Sequence, residues 1–126
     1  MKMKFYKCNI CGNIVAIVED GGGVLTCCGA EMKEIPVNTV EGAGEKHIPV
    51  VMKNGNKVVV QIGSEAHPMS DDHFIQWIAI ETTGGNQRKC LKPDDKPEAC
   101  FELCKGDDVT TVYAYCNIHG LWKADA

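Results

Sequence analysis

Four histidines, His47, His67, His73 and His119, and eight cysteines are the residues of this chain best suited to chemistry. Cys116-Asn117-Ile118-His119-Gly120 sets a thiol and an imidazole three residues apart, a spacing from which both side chains can reach one ion out of a tight turn. His47 follows Glu45-Lys46 after a Gly-rich stretch, His67 opens His67-Pro68-Met69, and His73 lies six residues further on. Any one of these alone would be read as a surface histidine or a satisfied core histidine. Together they leave no histidine over, and each stands at a turn boundary. Four neutral imidazoles and one thiolate form a donor set of mixed softness that suits iron, whereas structural zinc usually takes about four ligands. Five protein ligands would leave an octahedral ion one open position, as catalytic sites do. A thiolate opposite that position would push electron density onto a bound oxygen species.

A second constellation lies near the N-terminus: Cys8-x2-Cys11, then fifteen residues, then Cys27-Cys28. Four thiolates suit a tetrahedral site for iron or zinc, and disulfides among them are the other reading. A common zinc ribbon would end in a second Cys-x2-Cys. Here the second pair is adjacent, so one ion can be held only with an unusual backbone and a distorted tetrahedron.

The elements that must position these residues read as short strands. The segment from Lys4 to Ile35 carries apolar runs at Ile14–Val18 and Val24–Leu25 around Gly21-Gly22-Gly23, which predicts a hairpin. A unit this short buries too little apolar surface to fold alone, so a metal staple is expected. Pro36 to Glu45 turns polar and small and reads as a linker or ligand-bearing loop. Beyond it come Ile48–Met52, Lys57–Ile62, His73–Glu81, Lys89–Leu91, Cys100–Leu103 and Val109–Cys116, separated by Gly-, Asn-, Asp- and Pro-containing turns. Short strands with regular turn signals predict an all-β antiparallel sandwich. No long segment combines helical period with caps.

The bulk numbers bound the function. A chain of 126 residues suits one domain, or one ordinary domain and a small stapled one. A net charge of -4 without a basic cluster argues against nucleic acid. No apolar run is long enough to span a bilayer, and the basic Met1–Lys7 stretch meets Cys8 without the apolar region of a secretory signal. The expectation is a cytoplasmic protein with no membrane partner, in which the cysteines ligate metal rather than form disulfides.

Long ordered motifs then carry a resemblance. Tyr6-Lys7-Cys8-Asn9-Ile10-Cys11-Gly12-Asn13-Ile14-Val15 and Cys27-Cys28-Gly29 are similar to a desulforedoxin-like segment. Glu45-Lys46-His47-Ile48-Pro49-Val50, His67-Pro68-Met69, His73-Phe74-Ile75-Gln76-Trp77-Ile78, Leu91-Lys92-Pro93 and Tyr115-Cys116-Asn117-Ile118-His119-Gly120-Leu121-Trp122-Lys123 resemble the catalytic segment of the desulfoferrodoxins, the two-iron superoxide reductases. The resemblance covers essentially the whole chain. It implies a desulforedoxin-like iron-tetrathiolate domain over residues 1–36 and an immunoglobulin-like sandwich over residues 37–126 carrying a mononuclear iron site. It implies one-electron reduction of superoxide to hydrogen peroxide at a ferrous centre, with His47, His67, His73 and His119 equatorial and Cys116 axial. Glu45 would take the sixth position after oxidation, and Lys46 would attract superoxide and support proton delivery. Cys8, Cys11, Cys27 and Cys28 would hold an auxiliary iron. A small iron protein such as rubredoxin would be the electron donor, a homodimer the assembly and an anaerobe the setting.

Physics gives Glu45 and Lys46 independent roles, because a cation beside an open position raises the encounter rate of an anion despite the net charge. The alternative is two solvated charges on a loop. Cys90, Cys100 and Cys104 belong to neither constellation; they are expected as small buried hydrophobes, with a redox pair or soft-metal site at Cys100 and Cys104 as the other reading. Trp77 and Trp122 are expected as core aromatics, either of which could wall the metal pocket. The competing function classes are a non-enzymatic iron electron-transfer protein, which needs no open position, and a zinc-stapled interaction module.

Overall fold

Strands make up nearly all the regular structure of this chain. The computed structural model describes residues 3–38 and 44–126, with Gly44 and Glu45 described by backbone alone. Among the described residues a single turn of helix, α1 (Gly44–His47), interrupts an otherwise all-β protein. None of its helices is long and apolar enough to cross a membrane. Contacts divide the chain into two units, Met1–Pro36 and Val37–Ala126.

In the larger unit, strict alternation builds the first sheet. Strand β7 (Lys57–Ile62) buries Val58, Val60 and Ile62 and turns Lys57 and Gln61 outward. It pairs on one side with β6 (Pro49–Asn54) and on the other with β10 (Glu98–Glu102), which sends Ala99 and Phe101 inward. Gly55 closes the β6–β7 turn with φ 63°, a left-handed backbone that favours glycine. The second sheet runs β12-β11-β8-β9. Its central strands, β8 (Ile75–Thr82) and β11 (Val109–Cys116), are buried along most of their length. They read as near-continuous apolar runs because one face meets the core and the other is partly covered. Edge strands β9 (Gly85–Cys90) and β12 (Gly120–Asp125) flank them.

The inner faces of both sheets meet in one cluster, with Val58, Val60, Ile62 and Phe101 from the first and Ile75, Ile78, Ile80, Val112 and Ala114 from the second. This is an immunoglobulin-like antiparallel sandwich. Burying each large apolar side chain contributes about 1.5–3 kcal/mol relative to leaving it in water. One end of the sandwich collects the chemistry. His47 precedes β6, His67 follows β7, His73 precedes β8, Cys116 ends β11 and His119 precedes β12. The pairings Pro49↔Ile62, Ile75↔Cys116 and Cys116↔Gly120 fix those strand ends together. A register shift between Tyr115 and Cys116 leaves Gln76 as the extra residue of β8. Such a bulge re-aims the side chain beside it, here the Cys116 thiol.

The smaller unit holds a sheet of β1 (Phe5–Lys7), β2 (Ile14–Ala16) and β5 (Lys33–Glu34) in the order β2-β1-β5, and a short pair, β3 (Thr26–Cys27) with β4 (Ala30–Glu31). The hairpin expected around Gly21-Gly22-Gly23 does not form. Instead β2 pairs with β1 across the turn that carries Cys8 and Cys11, and β3 pairs with β4 across Cys28-Gly29. The reason is local. Backbone bonds from Gly12 N–H to the Cys8 carbonyl and from Cys8 N–H to the Asn13 carbonyl, both 2.9 Å, close the cysteine turn, while Val18 and Val24 stay exposed with no apolar face to pack on. Among the described residues of this unit Phe5, Cys8 and Met32 are buried, a core too small to hold it.

Two further expectations need correction. Cys90, Cys100 and Cys104 are exposed, not buried. Cys100 sits at the outward position between inward Ala99 and Phe101, Cys90 ends an uncovered edge strand, and Cys104 lies in the loop after β10. The strand placed at Lys89–Leu91 begins earlier, at Gly85. Strand β12 carries a weak signal in the sequence: Gly120 opens it, and its large apolar residues, Leu121 and Trp122, are embedded in the ligand motif.

Candidate metal centres

Two groups of ligand atoms converge, one in each unit. In the smaller unit the sulfurs of Cys8, Cys11, Cys27 and Cys28 lie within 4.8 Å of one another. Cys11 N–H donates to Cys8 Sγ at 3.4 Å. Cys11 Sγ stands 3.6 Å from Cys27 Sγ, and Cys27 Sγ stands 3.9 Å from Cys28 Sγ. These separations are far beyond a bonded disulfide, about 2.05 Å. Cys28 achieves its approach with φ 53° and is followed by Gly29 at φ 75°, the unusual backbone that adjacent ligands require. The electrostatics call for a cation. Backbone N–H groups of Cys11 and Ile10 bring the Cys8 thiol down to about 6. The neighbouring sulfurs, Cys11 first, push Cys28 up to about 12 and raise Cys27. The Cys8 thiolate forms readily, and Cys27 and Cys28 resist charge unless a positive ion offsets the repulsion.

In the larger unit the imidazoles form a square. Ring centroids of His47 and His67 are 4.6 Å apart, His67 and His73 4.8 Å, His73 and His119 5.1 Å, and His119 and His47 4.8 Å. Adjacent rings stand nearly perpendicular, with interplanar angles of 76° to 89°. The diagonal from His47 to His73 is 6.4 Å, with the planes 28° apart. Ligand atoms of His47, His67, His73 and Cys116 lie within 4.8 Å of one another. His119 joins them through Nδ1, 3.1 Å from His47 Nε2.

The hydrogen bonds show what this square lacks. His67 Nδ1–H donates to the Pro68 carbonyl at 2.6 Å, which fixes the tautomer and leaves His67 Nε2 a bare lone pair. That lone pair faces His47 Nε2 at 3.0 Å. His73 Nε2 is buried with no hydrogen-bond partner among the described residues. Burial pulls the His67 imidazole down to about 4. It also lowers His73, with His119 and the charge of Lys46 adding to the effect. Burial raises the Cys116 thiol, opposed by the N–H groups of His119 and Ile118. Imidazole nitrogens gathered beside a buried sulfur are the donor set of a transition metal, and a bound cation would satisfy them.

Both centres use one local device. In each, a cysteine accepts the N–H of the ligand three residues on, at 3.4 Å for Cys8 with Cys11 and for Cys116 with His119. In each, glycine follows with positive φ, 84° at Gly12 and 83° at Gly120. Only a residue without Cβ turns the chain there at low cost.

Lys46 is exposed, and its charge reaches His73. The side chain of Glu45 lies outside the described residues. Trp122 walls the site, its ring stacked 5.0 Å from His47 and its Nε1–H donating to the His119 carbonyl at 3.2 Å. Trp77 stacks on Tyr115 at 5.6 Å in the body of the sheet. Asn117 was not singled out from sequence. Its Oδ1 accepts Phe74 N–H at 3.0 Å and its Nδ2 donates to the Asp72 carbonyl at 3.0 Å. It thereby ties the turn bearing Cys116 and His119 to the segment bearing His73. A short polar residue inside a two-ligand turn is the signal that could have found it.

The family model for desulfoferrodoxin matches residues 39–125, and that for the desulfoferrodoxin N-terminal domain matches residues 1–35. The desulfoferrodoxin of Syntrophotalea carbinolica is 48% identical over 124 residues, 98% of this chain and 97% of the relative. A superoxide reductase of Pyrococcus horikoshii is 37% identical over 98 residues, 64% of this chain and 84% of the relative. The crystal structure of the superoxide reductase from Treponema pallidum superposes with a TM-score of 0.84 at 36% identity, covering 99% of this chain and 100% of that one. With both family models matched and relatives aligned nearly end to end, the chain belongs to the desulfoferrodoxin family.

Proposed function

We propose that this protein is a superoxide reductase, adding one electron and two protons to superoxide to give hydrogen peroxide. It carries two non-haem iron ions. Cys8, Cys11, Cys27 and Cys28 hold the auxiliary one; His47, His67, His73, His119 and Cys116 hold the catalytic one. The observation that carries this reading is the square of four imidazoles beside a buried thiol, with a lysine charge acting on one of its corners. Iron at that set, when bound, supplies the single electron and a coordination position that five protein ligands leave open.

The remaining work falls to the protein. Pro68 orients His67, and Asn117 fixes the turn of Cys116 and His119 against the segment of His73. The His119 N–H on Cys116 Sγ stabilises the thiolate form of a sulfur that burial would otherwise keep protonated. Lys46 draws the superoxide anion toward a molecule of net charge -4 and favours the arrival of protons at the peroxide product. Glu45, by family resemblance, would be a further ligand to the iron in its oxidised form. The donor is a small iron protein such as rubredoxin and the assembly a homodimer, as the same resemblance implies; the compartment proposed from the sequence is the cytoplasm.

Metal analysis with an optical redox titration tests this reading. Two irons per chain and two separate oxidation steps are expected; zinc at both sites, or no redox-active band from the histidine site, would leave no electron chemistry to propose.

A further inference from the structure

Gly63 follows β7 with φ 83°. A β-carbon there would stand 2.6 Å from both the carbonyl carbon and the carbonyl oxygen of Lys46, and would overlap the Glu65 carbonyl oxygen. Two of these three atoms belong to the peptide that joins Lys46 to His47. All three are backbone, so no rotamer change relieves the overlap. The same glycine donates its N–H to the Ile48 carbonyl at 3.2 Å. Gly63 therefore touches the chain on both sides of His47, and the turn leading to His67 rests on the turn leading out of α1.

We propose that Gly63 is a positioning residue for the catalytic centre, fixing the Lys46–His47 peptide and so the place of His47 as one corner of the imidazole square. This rests on the reading above, in which His47 is a metal ligand and Lys46 receives the anion. The absent side chain lets two ligand-bearing turns meet backbone to backbone. Any L-residue at Gly63 must push the Lys46–His47 peptide away, shifting one ligand and the attracting charge together. Displacement of a reacting group by about 1 Å can cost on the order of a hundredfold in rate.

Gly55 supplies the control. It lies at the other end of β7 with φ 63°, and a β-carbon there meets nothing within 4 Å. Gly55→Ala carries the same kind of backbone strain without the contact. In the iron-loaded protein, Gly63→Ala is expected to shift the thiolate absorption band of the histidine centre, to weaken iron retention there against a chelator, and to lower the superoxide rate about tenfold. Gly55→Ala is expected to change none of these, though both variants melt at lower temperature. Equal spectra and equal iron retention in the two variants would overturn the proposal. If the wild type proves inactive toward superoxide, the band shift and the chelator result still decide the positioning role.

A measurement without substitution covers the case in which Gly63→Ala does not fold. Hydrogen exchange of the wild type, read by mass spectrometry with and without iron, should show protection rising with iron at the peptide containing Gly63. The peptide containing Thr83, whose N–H donates to the Asp108 carbonyl at the ends of β8 and β11 away from the ligands, should not change. Exchange at Gly63 that ignores iron would uncouple the two turns and sink the proposal.

Discussion

A single carboxamide holds together two of the segments that bring ligands to the histidine site. Asn117 spans 43 residues of sequence to Phe74 with its oxygen and reaches the Asp72 carbonyl with its nitrogen, so Asn117→Ala leaves a backbone donor and a carbonyl unpaired at once. A loss of about 1–3 kcal/mol is expected from such orphaned groups, read as a lower denaturant midpoint, together with weaker iron retention. Lys46→Ile removes the cation without touching a ligand. Superoxide capture should slow by about tenfold and lose most of its dependence on ionic strength, while the optical spectrum stays as in the wild type. An unchanged rate would make Lys46 a solvated loop charge. The ligand-forming residues were legible because spacing and residue type announce them: Cys116-x2-His119 and Cys8-x2-Cys11 are local patterns. Asn117 and Gly63 were not, because their roles consist of contacts with segments distant along the chain. The exposure of Cys90 and Cys100 was misread for a related reason, since residue type alone does not say which face of an edge strand is covered.

Strands were legible where alternation is strong and turns are marked. Lys57–Ile62 and Val109–Cys116 coincide with β7 and β11, because inward valines and isoleucines recur at every second position or fill a doubly covered strand. The smaller unit lacked that signal. Its strands are two or three residues long, and cysteine turns rather than apolar faces decide their pairing. One connection between elements makes a pH-dependent prediction. Asp107 accepts from Thr83 Oγ at 2.7 Å, Gly84 N–H at 2.8 Å and Thr82 Oγ at 3.0 Å, pinning the β8–β9 turn to the loop before β11. These bonds, Thr83 first, hold its carboxyl below the ordinary 3.8. The folded form therefore prefers the carboxylate, and the stability it confers is full above about pH 3.8 and lost as pH falls further. Melts of the metal-free protein should show wild type above Asp107→Asn at pH 6, with the gap closing below pH 3.8. A gap constant across that range would mean that the charge is irrelevant to the turn.

At the scale of the molecule, two units each gather their own metal ligands, and no ligand is common to the two groups. Cys8→Ser should therefore abolish the iron-tetrathiolate band while leaving iron, spectrum and superoxide rate at the histidine centre. Loss of both irons in that variant would contradict the independence of the centres. Product stoichiometry distinguishes reduction of superoxide from every alternative. The fully reduced protein is mixed with a pulse of superoxide, and hydrogen peroxide and dioxygen are both quantified. A reductase yields one peroxide for each superoxide consumed, draws one electron from the protein each time and forms no dioxygen. Peroxide at half that yield with dioxygen released would mean dismutation, and superoxide decaying at its uncatalysed rate would leave the histidine centre an electron carrier.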